Sequence, residues 1–260
     1  MLNKNCPYIL KTRLWVNRKK FGTIVDQSDS DWKKWLDKGY TDFYQNTQTQ
    51  FLGNLLRRLS CPLFSEIDFS NKTVLEIGPG EIWHLKLMNT KPKKYVLCDV
   101  DENFLRISKQ KLDKAGIENA AKILHRNMNN VLPFSDDSFD IILSFNCLEH
   151  LNPIDFHLVE MKRVLRMGGH IAGCIPCEGG IAWGIGRFLT TRNYVIKKYG
   201  INYDKIICWE HPNFADYINE RLTKHFNKLY LKKKPFPFLP LDFNLVMNFI
   251  YYKSKTPQVA

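Results

Sequence analysis

The residues best suited to chemistry cluster at two points in the middle of the chain. Gly78-Pro79-Gly80 breaks an apolar run, Val74-Leu-Glu-Ile77, and is followed by the amphipathic stretch Ile82–Met88. The pattern predicts a strand, a tight glycine turn and a helix. A side chain at Gly78 or Gly80 would hold a ligand away from the backbone, and an opening helix would offer unpaired N–H groups. About twenty residues further on, Asp99 closes a second apolar run, Lys94–Asp99. That is the spacing at which a carboxylate on a strand tip can accept both hydroxyls of a ribose. Asp101 and Glu102 compete for this role, although Asp101 reads more simply as the cap of the next helix. Together these residues suit a nucleoside-containing ligand.

The elements that would position them alternate through the middle of the chain. Helix Glu102 to about Ala115 closes at Gly116, and Ala121–His125 and Ile141–Phe145 read as further strands. A helix from about Pro153 to Arg166 follows, stopped by Gly168-Gly169 in the manner of a left-handed cap. His170–Pro176 is the fifth strand. Strand-helix alternation with continuously apolar strands predicts an α/β fold with a doubly wound, Rossmann-like parallel sheet. Ligands on such sheets bind beyond the carboxyl ends of the strands, where Gly78, Gly80, Asp99, Asn127 and Asn146 all fall.

The flanks read differently. Residues 1–70 carry no catalytic motif and form an expected N-terminal helical cap. It has a helix start within Asp29–Leu36, with Ser30 or Asp31 near the N-cap, and another helix from about Asp42 to Leu59. Its aromatics are expected to pack on the main domain, with Tyr40, Phe43 and Tyr44 as alternative candidates for closing over a site. Residues 71–260 form the expected main domain, with an insert at about 177–222 that is helical over Ile181–Tyr199 and Phe214–Leu222. Phe226–Leu231 and Asn244–Tyr252 read as two strands whose short connection permits only an antiparallel hairpin.

Composition narrows the setting. The formal net charge is +12, which fits nucleic acid, an anionic membrane or a phosphorylated substrate, but the basic residues are spread along the chain. A solvated surface is the plainer reading. No apolar run is long enough to span a bilayer, the first residues lack the apolar core of a secretory signal, and seven scattered cysteines fit a reducing compartment. The expected location is cytoplasmic.

Val74-Leu-Glu-Ile-Gly-Pro-Gly80, Asp99, Leu132-Pro-Phe134, Ser138-Phe-Asp140, Leu148-Glu-His150 and Arg163-Val-Leu-Arg-Met-Gly-Gly169 occur in an order that resembles the class I S-adenosylmethionine-dependent methyltransferases, of the type 11 kind. The resemblance covers residues 70–176. It implies a seven-stranded sheet with an antiparallel last strand, and S-adenosyl-L-methionine as cofactor. By position it implies that Glu76, Gly78 and Gly80 surround the methionine part, that Asp99 holds the ribose, and that Val100 lies beside the adenine. It places Asn127, where the family usually has Asp, at the adenine amino group, and Met128 on the ring. Phe145 or Asn146 would lie near the transferred methyl. Ile82 stands where the family's turn has a third glycine.

The implied function is methyl transfer to a small-molecule or glycan-type acceptor by in-line displacement, with the insert setting acceptor specificity. His150 is the candidate catalytic base by motif position, against a plainer reading as a histidine satisfied by backbone groups. Glu178, Tyr203 and His211 are weaker candidates. The alternatives are an RNA-modifying methyltransferase, favoured by net charge, and a catalytically silent binding module on the same fold. A nicotinamide dehydrogenase would share the glycine turn and distal acid but not the Leu-Pro-Phe to Ser-Phe-Asp segment. No metal is expected: Cys174-Ile-Pro-Cys177 lacks a second ligand pair. Lys232-Lys-Lys234 beside Pro235-Phe-Pro-Phe-Leu is a candidate for peripheral contact with an anionic membrane face, against a plainer reading as a basic loop over packed aromatics.

Overall fold

The structure is a computed structural model that describes residues 16–40, 51–60, 62–117, 119–124 and 131–255. The expected positions Phe43, Tyr44, Asn127 and Met128 lie outside the described residues. Short helices α1 (Arg18–Phe21) and α2 (Ser30–Lys34, continued to Gly39 as a π-helix) precede α3 (Phe51–Ser60). Then come β1 (Thr73–Ile77), β2 (Lys94–Asp99), α4 (Glu102–Lys114), β3 (Ala120–Leu124), β4 (Phe139–Phe145), α5 (Ile154–Val164) and β5 (Leu165–Pro176). Helices α6 (Ile181–Leu189), α7 (Thr191–Tyr199), α8 (Tyr203–Glu210) and α9 (Ala215–His225) lead to β6 (Asn227–Lys234) and β7 (Val246–Tyr252). No helix among the described residues is long and apolar enough to cross a membrane.

The seven strands form one sheet in the order β3-β2-β1-β4-β5-β7-β6. β1 pairs in parallel with β2 (Ile77 opposite Cys98) and with β4 (Leu75 opposite Ile142), and β4 pairs in parallel with β5. Strand β7 runs antiparallel: Gly168 N–H donates to Lys253 O and Lys253 N–H to Gly169 O, each at 2.9 Å. β1 and β4 are buried along nearly their whole length, which explains why their sequences are mostly apolar. The connection from β1 crosses to one side and β4 lies on the other, so the topological switch point falls beyond the tips of these two strands.

The chain divides into two compact units, each characterised over its described residues alone. One draws on Ser60–Ile175, Tyr217–Lys232 and Asn248–Ala260, and the other on Met1–Leu59, Pro176–Asp216 and Lys233–Met247. The second unit has its own core, in which Trp32 and Trp35 pack with Val195, Ile201, Tyr203, Ile206 and Trp209. Trp35 Nε1 donates to Glu210 Oε1 at 2.7 Å, and Trp209 Nε1 to Phe21 O at 3.0 Å. The N-terminal aromatics thus share a core with the insert helices, including α8, which the sequence pattern did not reveal. Tyr40 packs against the same cluster, its ring 6.5 Å from that of Trp35.

Three local expectations are corrected. The cap of α2 is Asp29, whose carboxylate accepts from the N–H groups of Asp31 and Trp32. Helix α5 ends at Val164, because Leu165 already pairs opposite Phe139, so Gly168-Gly169 lies inside β5 and is no helix cap. The run after Gly80 is a five-residue 3-10 turn, Trp83–Leu87, and not a full helix. By contrast α4 is capped by Asp101 as expected, and Ile117 N–H returns to Leu112 O beyond Gly116.

Candidate functional site

The glycine turn is clamped at the switch point. Gly78 adopts φ +64, and its N–H donates to Cys98 O at 2.9 Å, tying the turn to the tip of β2. A side chain at Gly78 would run into the Sγ and Cβ of Cys147, just past β4. Gly80 adopts φ +53, but nothing lies within 4 Å of where its Cβ would stand. The two glycines therefore differ in purpose. Gly78 is required by packing, and Gly80 keeps a surface open. At the position of the absent third glycine, Ile82 takes φ 46 while 1% exposed. A β-branched residue there is strained by about 1–2 kcal/mol, and burial of its side chain compensates.

Helix α4 fixes the turn from the other side. Ser108 Oγ donates to Gly80 O and Lys111 Nζ to Glu81 O, each at 2.7 Å. A trans peptide points its N–H opposite its carbonyl, so these bonds set the direction of the next N–H groups. The sequence reading missed both residues. A serine on the buried Leu105-Ser108-Leu112 stripe was the available signal.

Asp99 ends β2. Its carboxylate accepts from Asp101 N–H at 3.0 Å. Burial raises its pKa above the ordinary 3.8, while the backbone N–H groups of Asp101, Val100 and Gly80 pull it down. Gly78, Gly80 and Asp99 are therefore neighbours, as the ligand reading demands. Val100 stands 49% exposed immediately beyond.

Glu76 sits beneath the turn with no exposed surface. Its Oε2 accepts from Tyr95 Oη at 2.6 Å. Its Oε1 lies 3.0 Å from His84 Nε2, at an angle that makes no hydrogen bond, and neither ring nitrogen of His84 finds a hydrogen-bond partner among the described residues. The His84 ring stacks on Phe145 at 4.4 Å and meets Phe64 at 4.7 Å. Phe145 is thereby held in the core, while Asn146, at φ 51, is exposed at the tip of β4 with its N–H on Cys174 O. His150 is half-buried in the 3-10 turn Leu148–His150, its N–H donating to Cys147 O at 3.0 Å.

The weaker candidates belong to the other unit. His211 Nδ1 lies 2.5 Å from Glu178 Oε2, and Arg18 donates to Glu178 Oε1 at 2.9 Å and to His211 O at 2.7 Å. Burial works to raise the Glu178 pKa, but His211 and Arg18 outweigh it and hold it at about 2. Burial keeps the Tyr203 hydroxyl protonated, its pKa raised well above 10.0. Cys174 and Cys177 are buried free thiols, each pushed up by burial to about 12, so neither is a thiolate at neutral pH.

Residues 75–173 match a family described as a methyltransferase domain. Over this stretch, which is less than half of its length, the chain is similar to methyltransferase domains. The demethylmenaquinone methyltransferase of Bacteroides fragilis is 27% identical to it over 94 residues, which are 36% of this chain and 38% of that protein. The ubiquinone/menaquinone biosynthesis C-methyltransferase UbiE of Vibrio vulnificus is 36% identical over 76 residues, 29% of each chain. The chain thus spans well under half the length of these curated relatives. Among solved structures, a protein of Pyrococcus horikoshii OT3 superposes with a TM-score of 0.55 at 15% identity, over 82% of this chain and 99% of that one. An S-adenosylmethionine-dependent methyltransferase from Mesorhizobium loti gives 0.51 at 15%, over 77% and 96%. These two share the fold of the methyltransferase domain. The family match ends at Gly173, three residues before Pro176, where the second unit resumes the chain.

Proposed function

We propose that the protein is an S-adenosyl-L-methionine-dependent methyltransferase acting on a small-molecule or glycan-type acceptor by in-line displacement. The observation that carries this is Gly80, a left-handed residue beneath open space at the carboxyl end of β1, with the Asp99 carboxylate beside it. That cradle fits the cofactor: a Cβ would fill the space, and an acid stands ready for a ribose diol. When bound, S-adenosyl-L-methionine supplies a methyl group made electrophilic by its sulfonium. Asp99 accepts the ribose hydroxyls and Val100 covers one side of the adenine. Asn127 and Met128 complete the adenine site on sequence grounds. Gly78 and Gly80 line the methionine part, while Glu76, tied to Tyr95, acts from below by fixing β1 under the turn. Phe145, held flat by His84, and Asn146 border the position of transfer. The acceptor must be oriented and water excluded, and His150 is the base where the acceptor must lose a proton.

A second reading, a quinol-type ring as acceptor, is favoured by the names of the two curated relatives. Isothermal titration with S-adenosyl-L-methionine tests the main reading. One-site binding by the wild type, weakened roughly tenfold or more in Asp99→Ala, is the expected result. A wild-type protein that gives no binding heat is a silent module on the same fold, and the proposal falls.

A further inference from the structure

The connection between β6 and β7 holds apolar side chains out in water. Phe238 is 98% exposed, Phe236 54%, and Leu239 and Phe243 43% each. The plainer sequence reading, a basic loop over packed aromatics, does not describe this segment. Exposure on this scale in aromatics of one short loop is what marks an interaction surface.

The loop is built to keep that shape. Asn244 is fully buried and staples it from beneath: Oδ1 accepts from Phe236 N–H at 2.8 Å, and Nδ2 donates to Pro240 O at 2.9 Å and Leu239 O at 3.3 Å. Leu239 N–H returns to Phe236 O at 3.1 Å, Phe243 N–H to Pro240 O at 3.2 Å, and Leu245 N–H to Lys234 O at 2.8 Å. Pro235, Pro237 and Pro240 each fix a backbone angle. A backbone this well satisfied does not collapse to bury its own phenylalanines.

Charge selects the occupant. Between Lys232 and Leu245 the charged residues are Lys232, Lys233, Lys234 and Asp242. Asp242 is 2% exposed, so its carboxyl is turned inward, whereas Lys232 is exposed and Lys233 lies over the loop with Nζ donating to Leu239 O. The outer face is therefore apolar at the tip and cationic at the base. Protein interfaces are depleted in lysine, and a second copy would bring lysines against lysines. Apolar tips rimmed by cations suit the boundary between acyl chains and anionic headgroups. The net charge of +12 acts in the same direction.

We propose that Pro235–Phe243 is a membrane-docking loop, with Phe236 and Phe238 entering the acyl boundary of an anionic bilayer and Lys232–Lys234 lying on its headgroups. This stands independently of the methyl-transfer reading, because the loop does not belong to the cofactor turn.

The test uses the full chain with vesicles of phosphatidylcholine alone or with phosphatidylglycerol added. The wild type is expected to co-sediment with the anionic vesicles at low salt and to be released by high salt. Binding to neutral vesicles is expected to be weaker by roughly tenfold or more. The Phe236→Ser/Phe238→Ser variant, which alters exposed side chains only, should lose at least about tenfold in binding. A Phe238→Trp variant should shift its emission to the blue on the anionic vesicles. Absence of sedimentation at low salt, equal binding by wild type and serine variant, or an unshifted tryptophan each overturns the proposal. If the serine substitutions instead convert an oligomer to a monomer, the occupant is a second copy and the lipid assignment falls.

Discussion

Gly78 N–H donates to Cys98 O at 2.9 Å, so the glycine turn after β1 is bonded to the residue preceding Asp99. One backbone bond thus brings the two parts of the candidate cofactor site into register. On the opposite side, Cys147 leaves no space for a side chain at Gly78.

The two glycines should respond differently to substitution. Both pay for a left-handed backbone, about 1–2 kcal/mol with any other residue. Gly78→Ala additionally drives a methyl into Cys147 and should cost a further 1–3 kcal/mol or so, visible as a lower urea midpoint. Adding Cys147→Ala should recover part of that loss. The Cβ of Gly80→Ala meets no atom within 4 Å, so this variant should lower stability only by the backbone strain yet weaken S-adenosyl-L-methionine binding roughly tenfold or more. Equal effects of the two on stability and binding would contradict the distinction.

Ile82→Gly sets two effects against each other. Glycine relieves about 1–2 kcal/mol of strain but removes a side chain that is 1% exposed, a loss on the order of 3–5 kcal/mol. Burial should win, and chemical denaturation should show a net loss of about 2 kcal/mol. A stabilised variant would mean that the turn is more strained than its angles indicate.

Cofactor affinity should fail early on acidification. In the proposed site the ionised Asp99 would be the hydrogen-bond acceptor for the ribose, and burial raises its pKa above 3.8. Titrations at descending pH should therefore show affinity declining at higher pH than an ordinary aspartate would allow. Asp99→Asn should flatten that decline while binding more weakly throughout. A wild-type dissociation constant that stays level down to the ordinary aspartate range would refute this.

The Arg18–Glu178–His211 network predicts acid lability. Glu178 has a folded pKa of about 2 against 4.5 for an unperturbed glutamate. A depressed carboxyl pKa contributes stability that is fully present above the unfolded value. That stability, on the order of 3 kcal/mol, should be lost as pH falls from about 4.5 toward 2. Thermal melts in this window should show the decline. Arg18→Met should lower the neutral-pH melting temperature and make the curve shallower. A melting temperature indifferent to pH in the wild type would count against the network.

The parts of the site that could be read from the sequence were those carried by local pattern. Val74–Ile77, the break at Gly78 and Gly80, and Asp99 at a strand tip follow from alternation, turn chemistry and the cap at Asp101. The fate of Gly168-Gly169 was not readable. A glycine pair after a helical stripe looks like a cap until β7 supplies partners for it, and those come from Lys253, far along the chain. His84 is similar. Its spacing suggested a helix face, but only the fold sets its ring on Phe145 and beside Glu76.

By itself, then, the sequence determined the succession of the strands and the residue types at the strand tips, because backbone angles and buried faces are encoded by near neighbours. Tertiary structure alone decided that Trp35 shares a core with Tyr203 and Ile206, that Glu178 meets Arg18 and His211, and that Phe238 faces water instead of the core. The reason is that a buried or paired side chain needs a partner, and which distant segment supplies it is fixed only when the whole chain closes.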